Sequence, residues 1–222
     1  MKSGNANKAA IRLLLWSVAG LAGLFAAAWV GQVLGGFILA YHRIFLALWA
    51  LFIIAVLYLS RDPDPVEPSD LLAIVSPAHG KVDVIEEAVE NEFMRGPCKR
   101  IAIRVSLFDV QVQYAPTNGT VAHIQHRPAV KEKGATDRET LLVGFDVIGR
   151  RDTKLAVRLV GGTWGRRIVP WIWSGDVVKR SARIGMMRPA ARVDLYVPSH
   201  IKLHVNPGDE LAGGQSVVGK FE

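Results

Sequence analysis

Hydrophobic and polar positions divide this chain into two unlike parts. No charged side chain lies between Arg12 and His42, and Phe45 to Leu59 is apolar again. A bilayer core takes about 20 helical residues, so the first run is long enough to cross and the second lies at the short end of the range. Gly31, Gly35 and Gly36 are placed to end or bend the first helix, and His42-Arg43 to mark the far interface. The two runs predict a membrane-anchoring helical hairpin over residues 1–60. Lys2, Lys8 and Arg12 before it and Arg61 beyond it carry the positive-inside bias, which puts both ends in the cytosol. A signal peptide cleaved near Ala26 to Ala28 is the rival reading, and it leaves the second run unexplained.

The pattern then changes. Arg61-Asp-Pro-Asp-Pro-Val-Glu-Pro stops any helix and predicts an extended connector over residues 61–70. From Leu71 onward the chain is written in short β-branched runs separated by glycine and proline: Leu71–Val75, Val82–Ile85, Ile101–Val105, Val110–Val112, Leu141–Val147, Leu155–Leu159 and Val193–Val197. This spacing predicts a mostly β, antiparallel domain over residues 71–222, with only Glu86 to Met94 reading as briefly helical. Gly119-Thr-Val-Ala-His-Ile and Gly175-Asp-Val-Val-Lys-Arg-Ser-Ala-Arg-Ile-Gly share one form, a glycine turn followed by an alternating strand. The closing Val205-Asn-Pro-Gly-Asp-Glu-Leu-Ala-Gly-Gly-Gln-Ser-Val-Val-Gly repeats it. Tight turns need positive φ and alternation buries one face, which is how barrel-sandwich, lipoyl-like halves are built.

Composition narrows the partners. The net charge of +7 is concentrated in the tail up to Arg43, which holds four basic residues and no acid. A basic excess beside an anchor suits an anionic lipid surface. Nucleic acid is disfavoured, because the chain has no aromatic-basic stripe, zinc spacing or recognition helix. The single cysteine, Cys98, excludes an intrachain disulfide and a thiol metal cluster. His123 with His126 and His200 with His204 lack a carboxylate or cysteine at ligand spacing, so they read as surface histidines and no metal is expected. Trp164, Trp171 and Trp173 beside Arg166 and Arg167 suit a membrane interface and equally a packed core. With Phe108 they are the candidates for lipid contact.

Several collinear segments resemble those of one known family. Ser76-Pro-Ala-His-Gly-Lys-Val is similar to that family's Ser-Pro-Ala-Asp-Gly-Lys-Val. Ser106-Leu-Phe-Asp-Val-Gln-Val-Gln-Tyr-Ala-Pro-Thr-Asn-Gly-Thr-Val resembles its Ser-Pro-Phe-Asp-Val-His-Val-Asn-Arg-Ala-Pro-Val-Ser-Gly-Thr-Val. Asp137-Arg-Glu-Thr falls where the family has a Glu-Asn-Glu-Arg-like stretch, and Gly165-Arg-Arg-Ile-Val matches Ala-Arg-Arg-Ile-Val. Met187-Arg-Pro-Ala-Ala-Arg-Val-Asp-Leu-Tyr-Val-Pro stands where the self-processing segment resembles Arg-Phe-Gly-Ser-Arg-Val-Asp-Leu-Tyr-Leu-Pro.

The family so resembled is that of the phosphatidylserine decarboxylases, in its short, membrane-anchored bacterial and archaeal type, and the resemblance implies conversion of phosphatidylserine to phosphatidylethanolamine, with a pyruvoyl cofactor carrying the difficult step. It also implies that this cofactor is made from the serine of the Gly-Ser pair, assisted by an aspartate and a histidine. All these positions differ here. Ala190-Ala191 replaces Gly-Ser, Gln111 stands at the histidine position and His79 at the aspartate position. Ala191 has no oxygen to attack the preceding carbonyl, and a neutral amide takes up no proton near pH 7. Ser181, Ser199 and Ser216 lie nearby, but none sits in a matching frame. The leading expectation is therefore a non-processing homologue of phospholipid metabolism at the cell inner membrane, with no cofactor. Its partners would be an anionic or amino-phospholipid, an active decarboxylase or a second copy of itself. Two alternatives stay open: an active pyruvoyl-dependent decarboxylase processing at an unrecognised site, and a lipoyl-like membrane adaptor.

Overall fold

A computed structural model describes residues 5–31, 37–59, 61, 63–129, 131–132, 135–136, 138–150, 152–162, 168–187 and 191–221. It divides into two compact units, Met1–Asp62 and Pro63–Glu222. The first holds α1 (Asn5–Gly31) and α2 (Phe37–Leu59), and α1 stops at the first of the expected glycines. Between Arg12 and the end of α1, and beyond Arg43 in α2, large apolar side chains such as Trp16, Trp29, Leu51 and Leu57 stand exposed. An all-apolar helix surface is stable only when something other than water covers it. Ile11–Trp29 and Tyr41–Tyr58 are long and apolar enough to cross a membrane.

The second unit is all β among the described residues. In chain order its first strands are β1 (Ala73–Val75), β2 (Gly80–Glu90), β3 (Gly96–Val105), β4 (Val112–Tyr114), β5 (Gly119–Arg127), β6 (Lys131–Glu132), β7 (Ala135–Thr136) and β8 (Thr140–Val147). The others are β9 (Lys154–Val160), β10 (Ile168–Pro170), β11 (Val177–Val178), β12 (Arg183–Met187), β13 (Ala191–Pro198), β14 (Lys202–Leu203), β15 (Glu210–Leu211) and β16 (Val217–Lys220). Eight strands form one curled antiparallel sheet in the order β11-β5-β8-β9-β13-β3-β2-β15. Two three-stranded sheets, β10-β12-β4 and β1-β16-β14, complete the unit with the small β6-β7 pair. The fold class expected from the strand spacing is what the chain adopts. The two glycine-led segments pair directly, Gly119 with Val178 and Thr120 with Val177.

Alternation along the central strands sorts side chains onto two faces. Ile101, Ile103, Val193, Leu195, Val157, Val143 and Phe145 point inward and belong to the main core. Cys98, Leu142, Ala156 and Tyr196 face the other way and are covered by Phe93 and Met94. The β13 strand lies between β9 and β3, which explains its nearly continuous burial. Gly144 lies directly beneath Phe93, where an added Cβ would come within 2.5 Å of the ring.

Glu86 to Met94 is not helical. Strand β2 runs on to Glu90 and a turn follows. The reason is a local carboxylate: Glu90 accepts hydrogen bonds from the backbone N–H of Glu92, Phe93 and Met94 at 3.0, 2.8 and 2.7 Å. Burial pushes its pKa up, but these three donors and Arg158 outweigh burial and hold it below the ordinary 4.5. Stability from a depressed carboxyl is complete above the unfolded pKa and is lost as pH falls through the folded one. Glu90→Gln should therefore cost about 2 kcal/mol, or roughly 5 °C in Tm, at pH 7. In melts of both proteins the gap should narrow as pH drops below the ordinary 4.5. An equal gap at pH 3 and pH 7 would contradict this role.

The proline-rich stretch lies along the β unit. Arg180, buried at β11's exit, donates through its guanidinium to the backbone carbonyls of Pro68 (2.6 Å), Ala73 (3.2 Å) and Asp70, and it meets Glu67 Oε1 at 3.1 Å. Tyr114 Oη donates to the Pro63 carbonyl at 3.4 Å, Arg183 pairs with Asp64 at 2.7 Å, and Lys220 pairs with Asp70 at 2.7 Å.

Candidate functional site

At one end of the large sheet, where β2 and β13 begin and β3 ends, a cleft of about 850 Å³ opens. Its walls come from His79, Gly80 and Lys81, from Val105, Ser106 and Asp109, from Ala191 and Arg192, and from β15. Gly80 has a φ of +148° and a Cβ there would lie 2.3 Å from the Arg104 carbonyl oxygen, so only glycine lets β2 start this close to β3.

The structure brings two of the family-matching positions to this cleft. Ala191, the first residue of β13, is buried on the inner face opposite Val105. His79 lies across the cleft with its ring edge-on to Tyr114, centroids 6.0 Å apart. Gln111 is elsewhere: it does not line the cleft but sits buried beneath the turn that forms one wall. Its Nε2 donates to the carbonyls of Ser106 (3.1 Å) and Asp109 (2.6 Å), and its backbone carbonyl accepts from Met187 N–H at 3.0 Å. Imidazole carries at most one N–H donor on each ring nitrogen, whereas one amide nitrogen can serve both carbonyls. Gln111 thus holds the turn closed from below. Ala190 lies outside the described residues.

The outer face of the same strand ends carries a row of cations that sequence reading did not single out as a group. Register sets Lys81 opposite Arg104 and Arg104 opposite Arg192, on three adjacent strands. Like charges directly opposite repel. Asp83 lies 3.4 Å from Arg104, and Glu210 stands opposite Lys81. Arg192 is held by Asp194, which is fully buried and lies 3.0 Å from its Nε and 4.0 Å from Arg100. Burial pushes the Asp194 carboxyl above its ordinary pKa, while Arg192 and Arg100 pull it down. The Asp194 carboxylate and the Arg192 guanidinium thus form a close ion pair at the mouth of the cleft. Only the pairing of distant strands creates this row, which is why no local motif announces it.

The lipid-contact candidates separate. Phe108 stands exposed at the tip of the turn above Gln111. Trp171 packs against Val110, Val112 and Tyr114, while Trp173 is exposed on a turn closed by Asp176. Trp164, Arg166 and Arg167 lie outside the described residues. No group of three or more metal-binding side chains occurs among the described residues.

Fold and cleft together define an antiparallel β protein with two apolar helices ahead of it and a cation-bordered cleft at the ends of its central strands. The profile of the phosphatidylserine decarboxylase family matches residues 51–219. A phosphatidylserine decarboxylase proenzyme of Desulfotalea psychrophila is 35% identical over 74% of this chain and 78% of its own length. Those of Salinibacter ruber (34% identical, 75% of each chain) and Carboxydothermus hydrogenoformans (30% identical, 78% of this chain and 82% of the relative) are similar to it as well. This chain belongs to the phosphatidylserine decarboxylase family. No solved structure matches it.

Proposed function

We propose that this chain is a membrane-anchored member of the family that does not process itself and holds a phospholipid at its cleft without decarboxylating it. The observation that carries the reading is Ala191. It occupies the position from which the family's pyruvoyl group would be made, it lines the cleft, and it presents only a methyl group. The residues around it do not fit that group either. Gln111 spends its amide on two backbone carbonyls, and His79 is an imidazole where the family has a carboxylate. Several changes at once describe a homologue released from the reaction rather than one impaired at a single atom.

The retained features support lipid as the ligand. Two apolar helices tether the β unit to a bilayer, and the bias of Lys2, Lys8, Arg12 and Arg61 puts that unit on the cytoplasmic side of the inner membrane. Cations at the cleft suit the phosphodiester of a phospholipid. The purified chain, reconstituted in vesicles containing phosphatidylserine, is expected to retain labelled lipid through detergent re-extraction and to form no phosphatidylethanolamine. Formation of phosphatidylethanolamine above the protein-free background would overturn the proposal.

A further inference from the structure

The turn Ser106–Asp109 is built to present two apolar side chains. Ser106 N–H donates to Asp109 Oδ2 at 2.6 Å, Asp109 N–H returns to the Ser106 carbonyl at 3.3 Å, and Gln111 ties both carbonyls from beneath. On top stand Leu107 and Phe108, 46% and 63% exposed in a unit that buries its other phenylalanines more deeply. The doubly clamped turn holds an adjacent pair of large apolar side chains out toward solvent, the kind of exposure that marks an interaction surface. Beside it, at the strand end two residues back, begins the cation row Arg104, Lys81 and Arg192. An apolar tip flanked by cations is the chemistry that recognises an anionic lipid surface: the tip enters the acyl boundary and the cations meet headgroups.

Chain connectivity keeps a bilayer within reach. Pro63, whose carbonyl is bonded by Tyr114, follows the last residue of α2 by four positions, an extended length of about 14 Å. Tyr114 in turn meets His79 of the cleft wall. Pro63, the first residue of the β unit, is thus linked through Tyr114 to the wall of the cleft.

We propose that the β unit docks on anionic lipid through the Leu107–Phe108 tip, with Arg104, Lys81 and Arg192 contacting headgroups and Gln111 as the positioning residue of the turn. The proposal rests on the membrane-anchored reading above and adds which end of the unit meets the bilayer.

The test uses the full chain in vesicles containing phosphatidylglycerol, with a bimane label on Leu107→Cys. Cys98 is buried and does not compete for the label under native conditions. Val89→Cys, exposed at the opposite end of the β2–β3 hairpin and about 30 Å away along the strand, is the aqueous control. Leu48→Cys in α2 reports the anchor itself. The label at 107 is expected to be quenched by doxyl-labelled lipid and protected from aqueous iodide, with the reverse at 89. Lipid quenching at 107 should weaken in vesicles of phosphatidylcholine alone and in Gln111→Leu, while the label at 48 is unaffected. Iodide quenching at 107 equal to that at 89, or protection from both quenchers as a protein partner would give, overturns the docking. Loss of lipid quenching at 48 would instead strike the anchored reading.

Discussion

Replacing Arg180 with methionine should destabilise the β unit by about 4 kcal/mol, the largest single-site effect expected of a residue outside the core. The guanidinium is almost wholly buried and reaches three backbone carbonyls of the connector and β1 besides Glu67. Each charge-assisted bond contributes roughly 1.5 kcal/mol or more, and methionine would leave the three carbonyls without a donor. Glu67 is half exposed and adds little. For a unit of this size the loss corresponds to roughly 10 °C in Tm. Arg180→Lys should recover less than half, because one ammonium does not span a fork of acceptors. Trypsin cleavage after Arg61 should quicken in Arg180→Met as Pro63–Asp70 comes away from the unit. A Tm within 2 °C of the parent, with unchanged proteolysis, would show that the connector is held by other contacts.

The second large effect is all-or-none. Ala191→Ser restores the missing hydroxyl, yet the chain is expected to stay whole. Serine needs a base to lose its proton, and such assistance contributes about 10²–10⁴ in rate. Gln111 offers no base, and its amide is committed at 2.6 and 3.1 Å to the turn carbonyls. Ala190→Gly, Ala191→Ser, Gln111→His and His79→Asp together should produce two fragments, residues 1–190 and 191–222, resolved on a denaturing gel. Rapid cleavage of Ala191→Ser alone would mean that the processing machinery is intact and that only one atom was lost.

Much of the architecture can be read directly from local pattern. Helix α1 ends at Gly31, and most of the β-branched runs fall on strands (Leu71–Val75 and Val110–Val112 only in part), because both follow from short-range rules of apolar length and alternation. Glu86 to Met94 misleads because its glutamates and alanine favour a helix locally, while pairing with β3 holds residues 86–90 extended and Glu90 closes the turn. Of the site, His79 and Ala191 were legible as departures from a family pattern, and the structure places both on one cleft. Two features were not legible. The Lys81–Arg104–Arg192 row depends on the register of the β2–β3 hairpin and on its pairing with β13, which is distant in sequence. Arg180 looks like any basic residue until its side chain is seen threading under the connector.

On the proposed reading, Gln111 stands where the family has a base and has a structural task instead. Its amide spans two carbonyls of the turn that carries Leu107 and Phe108 and holds that exposed apolar tip in place.

The central claim, a family member that does not cut itself, is tested most directly by the intact mass of the detergent-purified chain. One species at the mass of all 222 residues is expected. Two fragments meeting at Ala191, the smaller blocked at its amino end, would contradict it.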